Sequence, residues 1–398
     1  MENKPTILTK LPRMASIDAF RGFVMLLMMG EVLSFEKVSK ALPESGFWHF
    51  LSWHQSHVEW VGCSLHDMIQ PSFSFLVGVA LPYSIDGRIA KGQTMSKMLW
   101  HAFKRSWILI LLGIFLRSMH AQQTNFTFED TLTQIGLGYF FLFLLGFRTL
   151  YVQIFSLVIL LAGYFLAFAL YPLPTDGFDY SQTGVTSDWV YNLEGFAAHW
   201  NKNTNFAWAF DRWFLNLFPR ASSFLFNGGG YATLSLIPTL GTMILGLMAG
   251  KILKNNSLYG DKIKQFLIIG GSLILVAWAL AAFNICPNVK RIWTPTWTLF
   301  SGGSCFLFLA FFYWIIDVLG TTKWYFPLIV IGANSIAAYV MAHTIDGFIG
   351  SSLFIHLGKN YAALFGVEYA PLIHGFFILF FEWLILFWMY RKRLFIKI

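Results

Sequence analysis

The chain has 398 residues, of which 56% are hydrophobic and only 12% charged, and its net charge is +8. A soluble globular domain carries about 25% charged residues, so half that share, together with 43 Phe, 16 Trp and 15 Tyr, excludes a disordered chain and argues against a cytosolic enzyme. In a soluble protein the positive balance would suggest nucleic acid; here it fits Lys and Arg gathered on one side of a lipid bilayer, and no nucleic-acid partner is expected.

Crossing a bilayer takes roughly 20 apolar residues. In chain order the stretches that qualify are 17–36, 66–85, 104–119, 132–148, 150–172, 233–252, 265–284, 297–317, 325–345 and 370–390. The expected fold is therefore all-α, a polytopic integral membrane protein of about ten transmembrane helices (10–11) forming a single transmembrane domain over residues 1–398. The first stretch does not read as a cleaved signal peptide, because it holds Asp18, Arg21 and Glu31 and no small-residue cleavage site follows. With ten spans, 19 Lys and Arg fall on the face holding both termini and 9 on the other. Both termini are therefore expected in the cytoplasm. The outer face receives segments 37–65, 173–232 and 346–369. The second of these carries Trp189, Tyr191, Trp200, Trp208 and Trp213 before the Gly228-Gly229-Gly230 stop, which predicts an ordered cap. No internal repeat stands out. Cys63, Cys286 and Cys305 have neither metal nor redox spacing.

Ionisable groups inside apolar spans are costly and usually functional. In the first span, Asp18 and Arg21 share one face near the cytoplasmic end, and Glu31 lies about 15 Å further out at 1.5 Å per residue. The end of the first outer segment reads His54-Gln55-Ser56-His57-Val58-Glu59-Trp60-Val61-Gly62-Cys63-Ser64-Leu65-His66-Asp67-Met68-Ile69-Gln70-Pro71. An imidazole there can take up and return a proton near neutrality. A carboxylate on its other nitrogen would fix the tautomer, and Glu59, Asp67 and Glu31 are the candidates. Asp67 also suits a helix start for purely structural reasons. His54, His57, His66 and Asp67 match no metal signature, and no metal is expected. Lys290, Arg291 and Trp293 open the eighth span, where cations and an indole face suit an acidic or sugar ligand as well as an interfacial anchor. Asn334, Ser335 and His343 are polar in the otherwise apolar ninth span, where interhelical hydrogen bonding is the plainer reading of the first two.

Taken together, Ser16-Ile17-Asp18-Ala19-Phe20-Arg21-Gly22 and the block from His57-Val58-Glu59-Trp60 through Gly62, Asp67, Pro71, Phe73 and Phe75 to Gly78 resemble the heparan-alpha-glucosaminide N-acetyltransferase family and its bacterial members. Later matches run in order: Phe210-Asp211-Arg212, Leu236-Ile237-Pro238-Thr239 through Gly246-Leu247-Met248-Ala249-Gly250, Trp293-Thr294-Pro295, and Gly332-Ala333-Asn334-Ser335-Ile336. The resemblance implies a multi-helix membrane acyltransferase that moves an acetyl group from cytoplasmic acetyl-CoA to an amino sugar across the bilayer, with His57 at the position of the family's essential histidine, acting either as general base or as a transient carrier of the acetyl group. The asparagine that the lysosomal branch carries in its first helix falls on Val32. Bacterial members carry Gly-Glu, as at Gly30-Glu31, so Glu31 stands in as a second catalytic candidate beside Asp67 and Glu59. Arg21, Asp18, Lys104 and Arg105 are candidates for holding CoA, and Lys290, Arg291, Trp293, Asp211, Asn334 and His343 for the acceptor. A bacterial inner membrane is the expected location, and a homodimer is left open. The rival reading is a proton-coupled transporter of a sugar or cell-wall fragment, with Glu31 and His57 as its relay.

Overall fold

The computed structural model describes residues 14–320 and 324–396; Lys4, Lys10, Arg13, Lys323 and Lys397, which enter the charge count, lie outside them. The described residues are all-helical apart from one antiparallel bridge between Val61 and Val289. The helices are α1 (Ala15–Met29), α2 (Phe35–Ala41), α3 (Gly46–Gln55), α4 (Ile69–Ile89), α5 (Met95–Ser118), α6 (Thr131–Gly146), α7 (Leu150–Ala169), α8 (Phe206–Phe214), α9 (Leu236–Lys254), α10 (Tyr259–Ala282), α11 (Pro295–Phe312), α12 (Phe326–Ala333), α13 (Ser335–Thr344), α14 (Asp346–Leu357) and α15 (Ala370–Arg391).

Among the described residues seven helical segments are long and apolar enough to cross a membrane, and an eighth arises if α12 and α13, bent by 82° at their junction, count as one span. The chain is thus a polytopic membrane protein, with fewer full-length spans than the ten expected. Two helices account for the difference. α1 has 15 residues and α6 has 16, or about 22–24 Å at 1.5 Å per residue, against a hydrocarbon core of about 30 Å. α1 stops early because Gly30–Leu33 tightens into a 3-10 turn and Ser34 turns left-handed at φ 49°. The expected outer segment 346–369 begins instead with α14, and segment 37–65 holds α3 and all but the first two residues of α2.

Small residues set the closest helix contacts, as they do where lipid removes the hydrophobic drive between helices. α4 and α9 run side by side. A Cβ on Gly78 would collide with the Met243 carbonyl, one on Gly246 with the Phe75 carbonyl, and one on Gly250 with the Val79 carbonyl. Gly246 and Gly250 thus form a G-x-x-x-G seam that lets backbone meet backbone. Gly22 and Gly332 do the same between α1 and α12, against the Leu328 and Asp18 carbonyls.

α1, α5 and α13 finish, and α4, α6, α9 and α11 begin, around one end of the bundle. Segment 173–232 covers this end. The Trp60 indole donates to the Trp200 carbonyl at 3.1 Å, and Tyr164 Oη donates to the Ile292 carbonyl at 2.8 Å. Trp60, Tyr164, Phe168, Trp200, Val289 and Ile292 make an apolar cluster under the cap. α8 is tied down by Asp211, whose Oδ2 accepts from Thr233 N at 2.9 Å just before α9. At the break between α12 and α13, buried Asn334 donates to the Leu394 carbonyl at 3.0 Å and accepts from Ile396 N at 3.0 Å.

Candidate active site

The polar cluster is built by the turn that starts α4. Ser64 N donates to Asp67 Oδ2 at 3.0 Å, and Asp67 N donates back to Ser64 Oγ at 3.3 Å. This is the reciprocal bonding of a capping box, and it fixes the Asp67 carboxylate. Val58 N adds a further hydrogen bond to Oδ2 at 3.3 Å. Oδ1 remains for two partners from different loops. His57 Nδ1 lies 2.8 Å away and Lys290 Nζ 3.2 Å away. Asp67 and Lys290 are buried, while His57 keeps 38% of its side chain exposed. Lys290 arrives from the loop before α11, whose start is set by Thr294 as N-cap, accepting from Trp297 N at 3.2 Å, and by Pro295 in the first turn. The two loops are joined by the Val61–Val289 bridge and by Gly62 N donating to the Asn288 carbonyl at 3.1 Å.

An ionised carboxylate only accepts hydrogen bonds, so the Asp67 contact puts the proton of neutral His57 on Nδ1. Nε2 keeps its lone pair. This is the tautomer a general base needs. Burial lowers the affinity of His57 for a second proton, the Asp67 bond raises it, and nearby Lys290 lowers it; the balance lies below the usual imidazole value. The ring is therefore uncharged at neutral pH. Its neighbour His66 sits 4.6 Å away, ring to ring, and its Nε2 lies 3.1 Å from Glu31 Oε1.

His57, His66, Glu31 and Lys290 line one side of a cavity of about 320 Å³. Met28, Ile69 and Phe73 give it apolar wall. Arg117, Glu129, Asp130, Tyr231, His343 and Asp346 supply further polar wall. Asp130 is at once the N-cap of α6, accepting from Leu132 N and Thr133 N at 2.9 and 3.1 Å. Burial pushes the carboxyls of Glu129 and Asp130 above their ordinary range. His343 donates from Nδ1 to the Tyr339 carbonyl at 2.8 Å and stacks on that ring.

The structure thus brings His57, Asp67, Glu31, Lys290 and His343 together and leaves the other candidates elsewhere. Glu59 is exposed and stands 3.9 Å from Arg291. Arg291 donates to the Gly229 and Val58 carbonyls at 2.7 and 3.1 Å, bracing the cap against the His57 loop. Trp293, left-handed at φ 47°, is buried and donates to Thr242 Oγ1 at 3.2 Å. Asp211 and Asn334 serve the cap and the α12–α13 break described above. Arg21 pairs with Asp18 at 3.5 Å on α1. Arg105 on α5 lies over the Tyr139 ring at 4.4 Å and donates to its hydroxyl, and Lys104 is exposed. None of these lines the cavity. Among the described residues no group of three metal-ligating side chains forms. The residues that sequence reading passed over are Arg117, Glu129, Asp130, Tyr231 and Asp346. The pair Glu129-Asp130 directly before an apolar run was the one available signal.

No family model matches the chain. It is 23% identical over 385 residues to heparan-alpha-glucosaminide N-acetyltransferase of Mus musculus, covering 84% of this chain and 54% of that protein. It is 24% identical over 377 residues to the Homo sapiens protein of the same name, covering 83% of this chain and 52% of that protein. The chain spans about half the length of the curated relatives it matches. These two matches, with the helical membrane architecture, relate the chain at the family level to heparan-alpha-glucosaminide N-acetyltransferase.

Proposed function

We propose that this membrane protein is an acetyltransferase that takes the acetyl group of acetyl-CoA from the cytoplasmic face and passes it to the amine of an amino sugar on the periplasmic side of a bacterial inner membrane. The observation that carries this reading is His57 on the cavity wall, its Nδ1 held by Asp67 at 2.8 Å and its Nε2 left as acceptor. The names of the two relatives supply the reaction class.

The chemistry follows from that geometry. An amine attacks the thioester carbonyl, the C–N bond forms, and an N–H proton passes to His57 Nε2. The C–S bond then breaks, and the leaving sulfur takes that proton back as a thiol. Atoms balance with His57 returned neutral. Asp67 is a positioning residue, holding ring and tautomer. Glu31, paired with His66 on the cavity wall, would attract the acceptor as its ammonium form, which releases one proton to solvent before the neutral amine attacks. Arg21, aligned by Asp18, and Lys104 with Arg105 are the cations proposed for the CoA phosphates. From Arg21 to Met28 on the cavity wall is seven residues along α1, about 10 Å, a distance an extended pantetheine arm bridges.

The test is incubation of purified protein with labelled acetyl-CoA and a panel of amino sugars. Label should move to at least one sugar with the native chain and not with His57→Ala. Normal transfer by His57→Ala, or none to any amino sugar by the native chain, would sink the proposal.

A further inference from the structure

We infer that Lys290 is a positioning residue for the transfer, its ammonium occupying Asp67 so that this carboxylate orients His57 without charging it. The inference deepens the acetyltransferase reading and rests on it for its catalytic meaning. At the sequence level Lys290 reads as a ligand for the acceptor. Its surroundings say otherwise.

Three atoms form a triangle: His57 Nδ1 to Asp67 Oδ1 is 2.8 Å, Lys290 Nζ to the same Oδ1 is 3.2 Å, and Nζ to Nδ1 is 3.0 Å. An ammonium can only donate and a carboxylate can only accept. At 2.8 Å from a carboxylate oxygen Nδ1 must carry a proton, since two bare acceptors would repel, so Nδ1 cannot also accept from Lys290; both protons point at Oδ1, and the ammonium stands beside the Nδ1–H. In a two-membered His–Asp pair the carboxylate favours the imidazolium. Here a second proton on Nε2 would create a cation about 3 Å from an existing one, at the wall of a low-dielectric site. Burial pulls Lys290 below the ordinary lysine range, and the Asp67 carboxylate at 3.2 Å is the group that opposes this and favours the ammonium.

The other groups facing His57 do not replace this effect. His66, from the turn before α4, is engaged with Glu31 of the turn after α1. Arg117 at the end of α5, Glu129 and Asp130 before α6, and His343 and Asp346 around the end of α13 line the same cavity, and none of them makes a hydrogen bond or ion pair with His57. Glu59, on the same loop as His57, is turned to Arg291. Cys63 is a neutral thiol, pushed up to about 12 by burial. The consequence for the reaction is that His57 takes the amine proton only in passing and yields it to the departing sulfur.

The test needs no substrate. The rate at which diethyl pyrocarbonate modifies His57 in the full chain, read by peptide mass spectrometry across pH, reports how much of the ring is unprotonated. In the native protein the midpoint should fall below the ordinary 6.5. In Lys290→Gln, which keeps a donor to Asp67 but not its charge, and in Lys290→Met, it should rise by about one pH unit, a tenfold change in proton affinity. Lys290→Arg should hold the native midpoint. Where transfer is measured, the acid limb of kcat/KM should move with the modification midpoint, and activity should recover at alkaline pH. A native midpoint at or above 6.5, or coincident midpoints in the native and Gln chains, overturns the inference even if neither variant turns over; a rise in KM with an unmoved limb assigns Lys290 to acceptor binding instead. Absence of any transfer by the native chain counts against the acetyltransferase reading and leaves the modification test standing.

Discussion

α4 is two environments in one helix. The turn that leads into it is a knot of charge and hydrogen bonds, with Asp67 held by His57, Val58, Ser64 and Lys290 from two loops. A few residues deeper, Phe75, Gly78 and Val79 meet Gly246 and Gly250 backbone to backbone with no polar side chain between them. The polar end needs atoms placed to a few tenths of an ångström, and the glycine seam seats α4 directly on the α9 backbone. Chemistry at the mouth and rigidity in the middle are separable, so substitutions at each should fail in different ways.

The largest effect is expected at His57. His57→Ala should lower transfer by about a thousandfold, within the usual range for losing a general base, while the melting temperature stays put because the ring is partly exposed. A large drop in melting temperature would show that the loop, not the ring, was the casualty. Asp67→Asn should damage both properties. The tautomer of His57 is no longer fixed, and buried Lys290 loses its counter-charge, for which about 3 kcal/mol of stability is a fair expectation; unchanged melting would mean that the Asp67–Lys290 contact carries no weight. Gly246→Val tests the seam. Its Cβ would meet the Phe75 backbone, and about 1–3 kcal/mol should be lost by overpacking, with the acid limb of activity unmoved in whatever protein folds. A shifted limb would couple the two environments after all.

The smallest effect belongs to the cap. Asp211 is buried, and burial raises its carboxyl to about 7. Between its ordinary 3.8 and that value the folded chain holds a proton that the unfolded chain has released, so this group makes stability fall as pH rises through that window. Asp211→Asn should flatten that dependence, read as melting temperature between pH 4 and 7, and leave transfer intact. An unchanged slope would place the pH dependence on other groups.

The helical membrane class was legible in composition and run length, because lipid leaves few alternatives to a helix. The number of full spans was less so. Hydropathy runs smoothly through residues 17–36, yet the helix ends at Met29, where the Gly30–Leu33 turn and left-handed Ser34 redirect the chain. The cluster around His57 was visible because its residues are sequence neighbours, and Asp67 stood among three carboxylates open as partner to the ring. Choosing it required the Ser64 cap, which is a matter of backbone geometry. Lys290 is 233 residues away from His57, and nothing local to Lys290-Arg291-Ile292-Trp293 separates a residue that reaches the site from one that anchors an interface. Trp293 shows the opposite failure: its place beside two cations suggests a ligand face, whereas its indole is spent on Thr242 inside the bundle.

The antiparallel bridge at Val61 and Val289 has a consequence for how the protein meets its membrane. His57 and Lys290 are carried by two connectors that are fastened to each other, and only Asp67 belongs to a helix turn. Bilayers of different thickness are accommodated chiefly by changing helix tilt. Such leaning rotates the long rods beneath the clasp but does not pull its halves apart, so the distances among imidazole, carboxylate and ammonium should survive transfer from thin to thick lipid.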